Sequence, residues 1–282
     1  MKMSNEMEES KENILPIFKA YKPSVESQIE ALGLTAFPED HFPTTAVYLS
    51  VQGEGPKIGI PTVFVRFVLC NLHCGWCDTK YTWAPPIIKK DLAAGKIKNY
   101  KPDELFEHIL DVAGNARNVV FTGGEPTLHQ VKLAPLIERL GAWGITSEIE
   151  TNGTQVPTAE MLQNVSWNHL TYNLSPKLSN NRADTLEERR KDDAMAVYKE
   201  LGLRGKAFYK FVITKPEDMD EVQKEWIDYF QLPESQMIMM PEGVRPEDLM
   251  KHSEWLVELC KERGWRFTPR LQVLLYGSKI DV

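Results

Sequence analysis

Cys70, Cys74 and Cys77 place three thiols inside eight residues of the stretch CNLHCGWCDTKYTW, and the fourth cysteine, Cys260, lies far along the chain. Three thiols so close together cannot all pair with one another, so another group is expected to occupy them. The spacing C-x3-C-x2-C suits three thiolates on one short loop that bind three irons of a [4Fe-4S] cubane and leave the fourth iron open for chemistry. The competing chemistry is a closed tetrahedral zinc site made of the three cysteines with His73 or a distant ligand. Zinc modules more often present two separated ligand pairs than one triplet.

The cysteines follow directly on an apolar, β-branched run, TVFVRFVL, and similar runs recur: TAVYLSV, NVVFT, TSEIET, TYNLS, AFYKFVIT and QMIMM. Between them lie amphipathic helical patterns, PDELFEHILDVA, VKLAPLIERLGAWG, LEERRKDDAMAVYKELG, PEDMDEVQKEWIDYF and RPEDLMKHSEWLVELCKERG, several opening on Pro and acidic residues and closing on Gly. This alternation predicts βαβ units and a parallel sheet. The repeats are too few for a closed eightfold barrel, so the fold class is α/β, a partial, open TIM-like βα barrel. Its polar residues are expected to converge at the C-terminal ends of the strands. Residues 1–44 read as an N-terminal extension, packed on the body or trailing from it, with a short amphipathic stretch SVESQIEALGL and a connector FPEDHFP; residues 45–282 read as the main domain. Cys260 falls in a helical pattern and reads as a buried small hydrophobe.

The chain of 282 residues carries a net charge of −7, so no bulk basic field is present to hold a nucleic-acid backbone and a small-molecule substrate is expected. The N-terminal residues are too polar for a secretory signal and no later run approaches a membrane span. A cytoplasmic protein with reduced thiols and no membrane partner is the expectation.

Downstream of the cysteines stands VVFTGGEPTL, with Gly123, Gly124, Glu125 and Pro126 at a strand end. The triplet and this turn, in this order, resemble the radical S-adenosylmethionine (SAM) superfamily. The segments SVQGEGPKIGIPTVFVRF, CDTKYTW, EIETNGT, NLSPK, KFVIT, MPEG and TPRLQVLLYG are similar, in order, to the 7-carboxy-7-deazaguanine synthase family. The resemblance runs from about Tyr48 to Gly277. It implies a barrel of the radical SAM type, a [4Fe-4S] cluster, SAM and Mg2+. The implied reaction is a lyase conversion of 6-carboxy-5,6,7,8-tetrahydropterin to 7-carboxy-7-deazaguanine with loss of ammonia, on the route to queuosine and other deazapurines. It begins with hydrogen abstraction from C6 of the pterin by a 5′-deoxyadenosyl radical and regenerates SAM. A homodimer and a flavodoxin-like electron donor also come with the family.

Carried onto this chain, the resemblance assigns the cluster to Cys70, Cys74 and Cys77, and Mg2+ to Thr79. Substrate falls to Val51, Gln52, Gly53, Glu54, Arg66 and Thr122, and SAM to Trp76, Cys77, Asp78, Gly124, Ser175, Pro176 and Lys177, with Glu150 and Asn152 as further candidates. The residue types fit these roles: Gln52 and Glu54 offer donors and acceptors to a pterin edge, and Arg66 suits a carboxylate. Each also has a plainer reading: Arg66 in a structural ion pair, Thr79 or Asp78 capping a turn, Lys210 paired with a buried carboxylate, Tyr81 and Trp83 in ordinary packing. Leu69 stands where the family often has glycine, and the tail SKIDV continues past the shared pattern. Two rival functions remain at this level, an activating enzyme for a glycyl-radical protein and a zinc-bound interaction module.

Overall fold

The structure, a computed structural model, describes residues 22–277, 279, 281 and 282. The acidic head of the extension therefore lies outside the described residues. The seven apolar runs form strands: β1 (Phe42–Val51), β2 (Pro61–Phe67), β4 (Asn118–Gly123), β5 (Thr146–Thr151), β6 (Leu170–Leu174), β7 (Ala207–Ile213) and β8 (Met237–Pro241). Two short strands, β3 (Lys98–Tyr100) and β9 (Arg266–Phe267), carry too few residues to show a period.

Among the described residues nine strands form one sheet in the order β3-β1-β2-β4-β5-β6-β7-β8-β9. From β2 to β9 every neighbouring pair is parallel, and the sheet ends on β3 and β9 without joining them. The barrel is open, as the count of repeats predicts. The all-parallel expectation is corrected at one edge, where β1 runs antiparallel to both β2 and β3. The cause is the connection: residues 52–60 are all that join β1 to β2, and a parallel crossover needs a dozen or more.

The helices are α1 (Val25–Ala31), α2 (Pro85–Ala93), α3 (Pro102–Ala113), α4 (Gln130–Ala142), α5 (Ala159–Ser166), α6 (Leu186–Arg189), α7 (Asp192–Leu203), α8 (Asp218–Glu221), α9 (Pro246–Arg263) and α10 (Leu271–Tyr276). Proline opens α2, α3 and α9, where its missing N–H costs nothing, and left-handed Gly264 closes α9. The pattern LEERRKDDAMAVYKELG breaks into α6 and α7. Thr185 and Glu188 form a capping box on α6, and Arg190 turns extended after it. After α8 the chain winds on as a π-helical stretch, Val222–Asp228.

Alternation along the strands divides the sheet chemically. Val63, Val65, Phe67, Val119, Phe121, Ile149, Tyr209, Phe211, Met237 and Met239 join the main apolar core with residues of the outer helices. Their neighbours Arg66, Thr122, Glu150 and Lys210 line the barrel interior. A second apolar cluster joins Ile29, Ala31 and Leu32, on and just beyond α1, to Val68, Leu69, Ile88 and Ile97. The extension is thus attached to the barrel immediately before the first cysteine.

Candidate active site

The interior holds a cavity of about 260 Å3, just below the ~300–1,000 Å3 usual for small-molecule sites. It has a mouth at the C-terminal ends of the parallel strands and a floor opposite.

The mouth is built on the residues after β2 and β4. Cys70, Cys74 and Cys77 all line the cavity, and all are free thiols. Gly124 packs against the chain entering the cysteine loop: its N–H donates to Phe67 O at 3.0 Å, and a Cβ there would meet Leu69 O at 2.0 Å. The glycine pair therefore admits the loop's own backbone as well as any ligand. Glu125 fastens this turn to the end of β5, accepting from Thr127 N (3.0 Å), Thr151 Oγ1 (2.7 Å) and Asn152 N (2.7 Å). Leu69, standing for the expected glycine, adopts φ +82°. Its side chain is fully buried in the cluster with α1.

The thiols have supporting donors. Trp83 Nε1 donates to Cys77 Sγ at 3.4 Å, Thr79 Oγ1 lies 3.5 Å from the same sulfur, and Asn181 Nδ2 approaches Cys74 Sγ at 3.9 Å. Trp83 thus bears on a cysteine as well as packing. Burial raises the Cys70 thiol well above its ordinary range, with Glu125 adding to it, and pushes Cys74 up to about 12 against the opposing charge of Lys177. Such thiols stay protonated until a cationic group displaces the protons. Among the described residues no three His, Cys, Asp or Glu side chains are grouped to grip one ion. His73 is instead engaged by Asp184 (3.3 Å) and Pro23 O (2.8 Å). A cubane with one open iron asks for one thiolate on each of the other three, and three separate thiols with N–H donors around them fit that demand.

The expected SAM residues divide. Trp76, Asp78, Gly124, Ser175 and Lys177 line the cavity, with Lys177 donating to Ser175 Oγ at 2.9 Å and lying 5.3 Å from the Trp76 ring centroid. Pro176 is buried between its neighbours and is not among the described cavity-lining residues. Glu150 and Asn152 do line it.

The floor follows from the antiparallel β1. Val51 pairs with Pro61, the first residue of β2, so the following QGE segment enters from the N-terminal end of the parallel strands, opposite the mouth. Val51, Gln52, Gly53 and Glu54 reach the cavity from this side, whereas the sequence suggested a single convergence at the other. Gln52 Nε2 donates to Glu148 Oε1 at 2.6 Å and reaches Glu150 Oε1 at 3.3 Å. Thr122 Oγ1 donates to Glu150 Oε2 at 3.0 Å. Glu54 accepts from Arg270 Nε (3.0 Å), Gln272 Nε2 (2.7 Å) and Lys210. Burial alone would raise its carboxyl, but Lys210 and Arg270 hold it well below the usual range. A side chain at Gly53 would collide with Gln272.

Arg66 donates to Tyr48 OH at 3.2 Å, and among the described residues its Nε has no hydrogen-bond acceptor but forms an ion pair with Asp281 at 3.5 Å. That leaves a largely buried guanidinium with capacity for a better-placed anion. The sequence reading missed Arg270 and Gln272, which tie Glu54 and, through Arg270, Asp78 to the start of α10. Their signal lay in TPRLQVLLYG, where two polar residues open an apolar helix. It also missed Glu148, fully buried with Oε2 unpartnered among the described residues and pushed up to about 7 by burial and by Glu150.

Comparison with known proteins places this geometry. Residues 64–224 match the family model of the Radical SAM superfamily. The 7-carboxy-7-deazaguanine synthase of Halobacterium salinarum is 32% identical over 84% of this chain and 91% of its own, and that of Pyrobaculum aerophilum 33% over 82% and 93%. Among solved structures, QueE from Escherichia coli shares the fold with a TM-score of 0.61 at 24% identity, covering 86% of this chain and 98% of that one. Streptococcus suis SuiB bound to S-adenosylmethionine does so with a TM-score of 0.50 at 18% identity, over 76% and 53%. With both cysteine loop and QGE floor inside the matched length, the chain belongs to the 7-carboxy-7-deazaguanine synthase family of the radical SAM superfamily.

Proposed function

We propose that the protein converts 6-carboxy-5,6,7,8-tetrahydropterin to 7-carboxy-7-deazaguanine with loss of ammonia, in 7-deazapurine biosynthesis. The observation that carries this reading is the facing of two unlike walls across one cavity: three thiols and the Gly-Gly-Glu-Pro turn above, Gln52, Glu54 and Arg66 below and beside them. Cys70, Cys74 and Cys77 hold the cluster, and SAM lies along Trp76, Asp78, Gly124, Ser175 and Lys177. Bound there, the reduced cluster and SAM supply a 5′-deoxyadenosyl radical. The chain supplies placement. Arg66 pairs its open guanidinium with the substrate carboxylate, Thr122 holds the substrate beneath the mouth, and Gln52 and Glu54 fix the pterin's polar edge. Glu54, kept ionised by Lys210 and Arg270, acts as an acceptor for pterin N–H groups. Mg2+ belongs at Thr79, whose lone hydroxyl leaves most of the shell to water and substrate oxygens.

Residues 45–282 constitute the catalytic unit and residues 1–44 its extension. The chain works as a homodimer with a flavodoxin-like donor in the cytoplasm. Among the described residues no helix is long and apolar enough to cross a membrane.

The test is anaerobic. The iron- and sulfide-reconstituted protein, given reductant, SAM, Mg2+ and 6-carboxytetrahydropterin, should yield 7-carboxy-7-deazaguanine by mass spectrometry. Deoxyadenosine without that product would refute the substrate while leaving radical chemistry intact.

A further inference from the structure

Gln28 lies on α1, in the extension, 42 residues before Cys70, and is fully buried. Its Oε1 accepts from Cys70 N–H at 2.9 Å and its Nε2 donates to Cys70 C=O at 2.8 Å. The same Nε2 reaches Pro23 O at 3.2 Å, and Pro23 O is also the partner of His73 Nε2. A primary amide presents one acceptor and two donors at a single fork, so Gln28 pairs with both backbone groups of Cys70 much as a neighbouring strand would. Those groups sit where β2 has ended and the ladder no longer serves them. Two of the cysteines have a side-chain donor near the sulfur, Trp83 for Cys77 and Asn181 for Cys74. At Cys70 the Leu72 N–H faces the sulfur, and the described side-chain support is Gln28, a neutral group on the ligand's backbone that adds no charge beside it.

We propose that Gln28 is a positioning residue for Cys70, and that α1 is therefore part of the apparatus that binds and tunes the cluster. Outer partners of metal ligands orient them and set their affinity. Ser24 caps α1 through Ser27 N, and Ile29 and Leu32 seat the segment against Val68 and Leu69. The seat fixes the amide, and the amide fixes the ligand. The proposal rests on Cys70 binding an iron, as the functional reading has it.

The test compares Gln28→Met, which keeps bulk and burial but removes both hydrogen bonds, with Leu32→Ala, which loosens the same segment without touching Cys70. Each is reconstituted anaerobically and assayed for iron per chain, for iron release to a ferrous chelator, and for the electron paramagnetic resonance spectrum of the reduced cluster; melting curves confirm folding. Gln28→Met should release iron about 10–100-fold faster than wild type with an altered spectrum. Leu32→Ala should melt earlier yet keep wild-type spectrum and release. Wild-type release and spectrum in Gln28→Met would overturn the proposal. So would equal cluster loss in Leu32→Ala, which would make helix docking the cause. If the wild-type chain takes up no iron, the cluster reading falls first and this proposal with it.

Discussion

Mouth and floor of the cavity are held together by opposite kinds of interaction. Beside the thiols the mouth is fixed by backbone contacts and neutral donors: Gly124 against Leu69, Gln28 around Cys70, Trp83 and Asn181 beside sulfurs, with one buried carboxylate, Glu125, tying the adjoining turn to β5 through neutral donors. The floor is fixed by charge: Glu54 pairs with Lys210 and is held by Gln272 and Arg270, which follow β9, and Arg270 ties it to Asp78 and Gly243 O on the mouth side. A cofactor mount needs shape and a low background charge, because the thiolates bring their own. A polar substrate's floor needs preset donors and acceptors, and buried charges give these only when mutually paired. Loss of a mouth residue should therefore cost cofactor and leave the fold, whereas loss of a floor residue should cost fold and pH behaviour together.

The largest effect tests the first half of that contrast. Cys74→Ala removes one thiol, and product formation in the anaerobic assay should vanish while the melting temperature of the cluster-free protein stays close to wild type. A large fall in that temperature would break the contrast, since the mouth would then carry fold stability of its own. Arg270→Ala tests the second half. It leaves Asp78 without its guanidinium and Glu54 with Lys210 and Gln272 alone. Glu54 keeps Lys210 as a charged partner and Asp78 is exposed, so the cost falls below the about 3–5 kcal/mol of a wholly unpaired buried charge, and the variant should melt below wild type even without cluster. Arg270→Lys should restore little, because an ammonium lacks the fork that reaches Glu54, Asp78 and Gly243 O together.

The two regions were unequally legible in the sequence for the same physical reason. The mouth lies on contiguous motifs, and the spacing of the three cysteines and the Gly-Gly-Glu-Pro turn states its chemistry directly. The floor is assembled from residues more than 200 positions apart, such as Glu54 and Arg270, and no local period reports such a pairing. Its position depended on the direction of β1, which the short connection to β2 decides and which the apolar runs alone conceal. Gln28 was invisible for a further reason: on a short amphipathic helix a glutamine reads as part of the solvated face, and only the fold shows it wholly enclosed. The strands and long helices were legible because each carries enough residues to display its period, whereas β3 and β9 do not.

The floor's pH dependence sharpens the contrast further. Glu148 faces Gln52, Lys57, Glu150 and Lys210, and burial with the Glu150 charge pushes its carboxyl up to about 7 from an ordinary 4.5. The folded protein then binds a proton that the unfolded chain has released. This contribution to stability is full below about pH 4.5 and is lost as pH rises through about 7, a span worth up to about 3 kcal/mol. Denaturant titrations of wild type and Glu148→Gln across that range should give a difference that grows with pH in favour of the amide. A flat difference would show that Lys57 keeps Glu148 ionised throughout. The same comparison on Asn181→Ala at the mouth should be flat.

The smallest effect arises at Leu69, where the mouth meets the extension and two opposing terms partly cancel. A left-handed backbone costs a non-glycine residue about 1–2 kcal/mol, so Leu69→Gly relieves the φ of +82°. It also deletes a fully buried side chain from the cluster with Ile29 and Leu32, a loss of about 2–5 kcal/mol for leucine truncation. The truncation term is the larger, so Leu69→Gly should be destabilised, by about 1–3 kcal/mol in denaturant. Leu69→Ala should be worse still, because it loses the packing and keeps a Cβ in the left-handed region. If alanine instead proves the more stable of the two, the backbone at Leu69 carries little strain. The packing against α1 would then account for the whole difference from glycine.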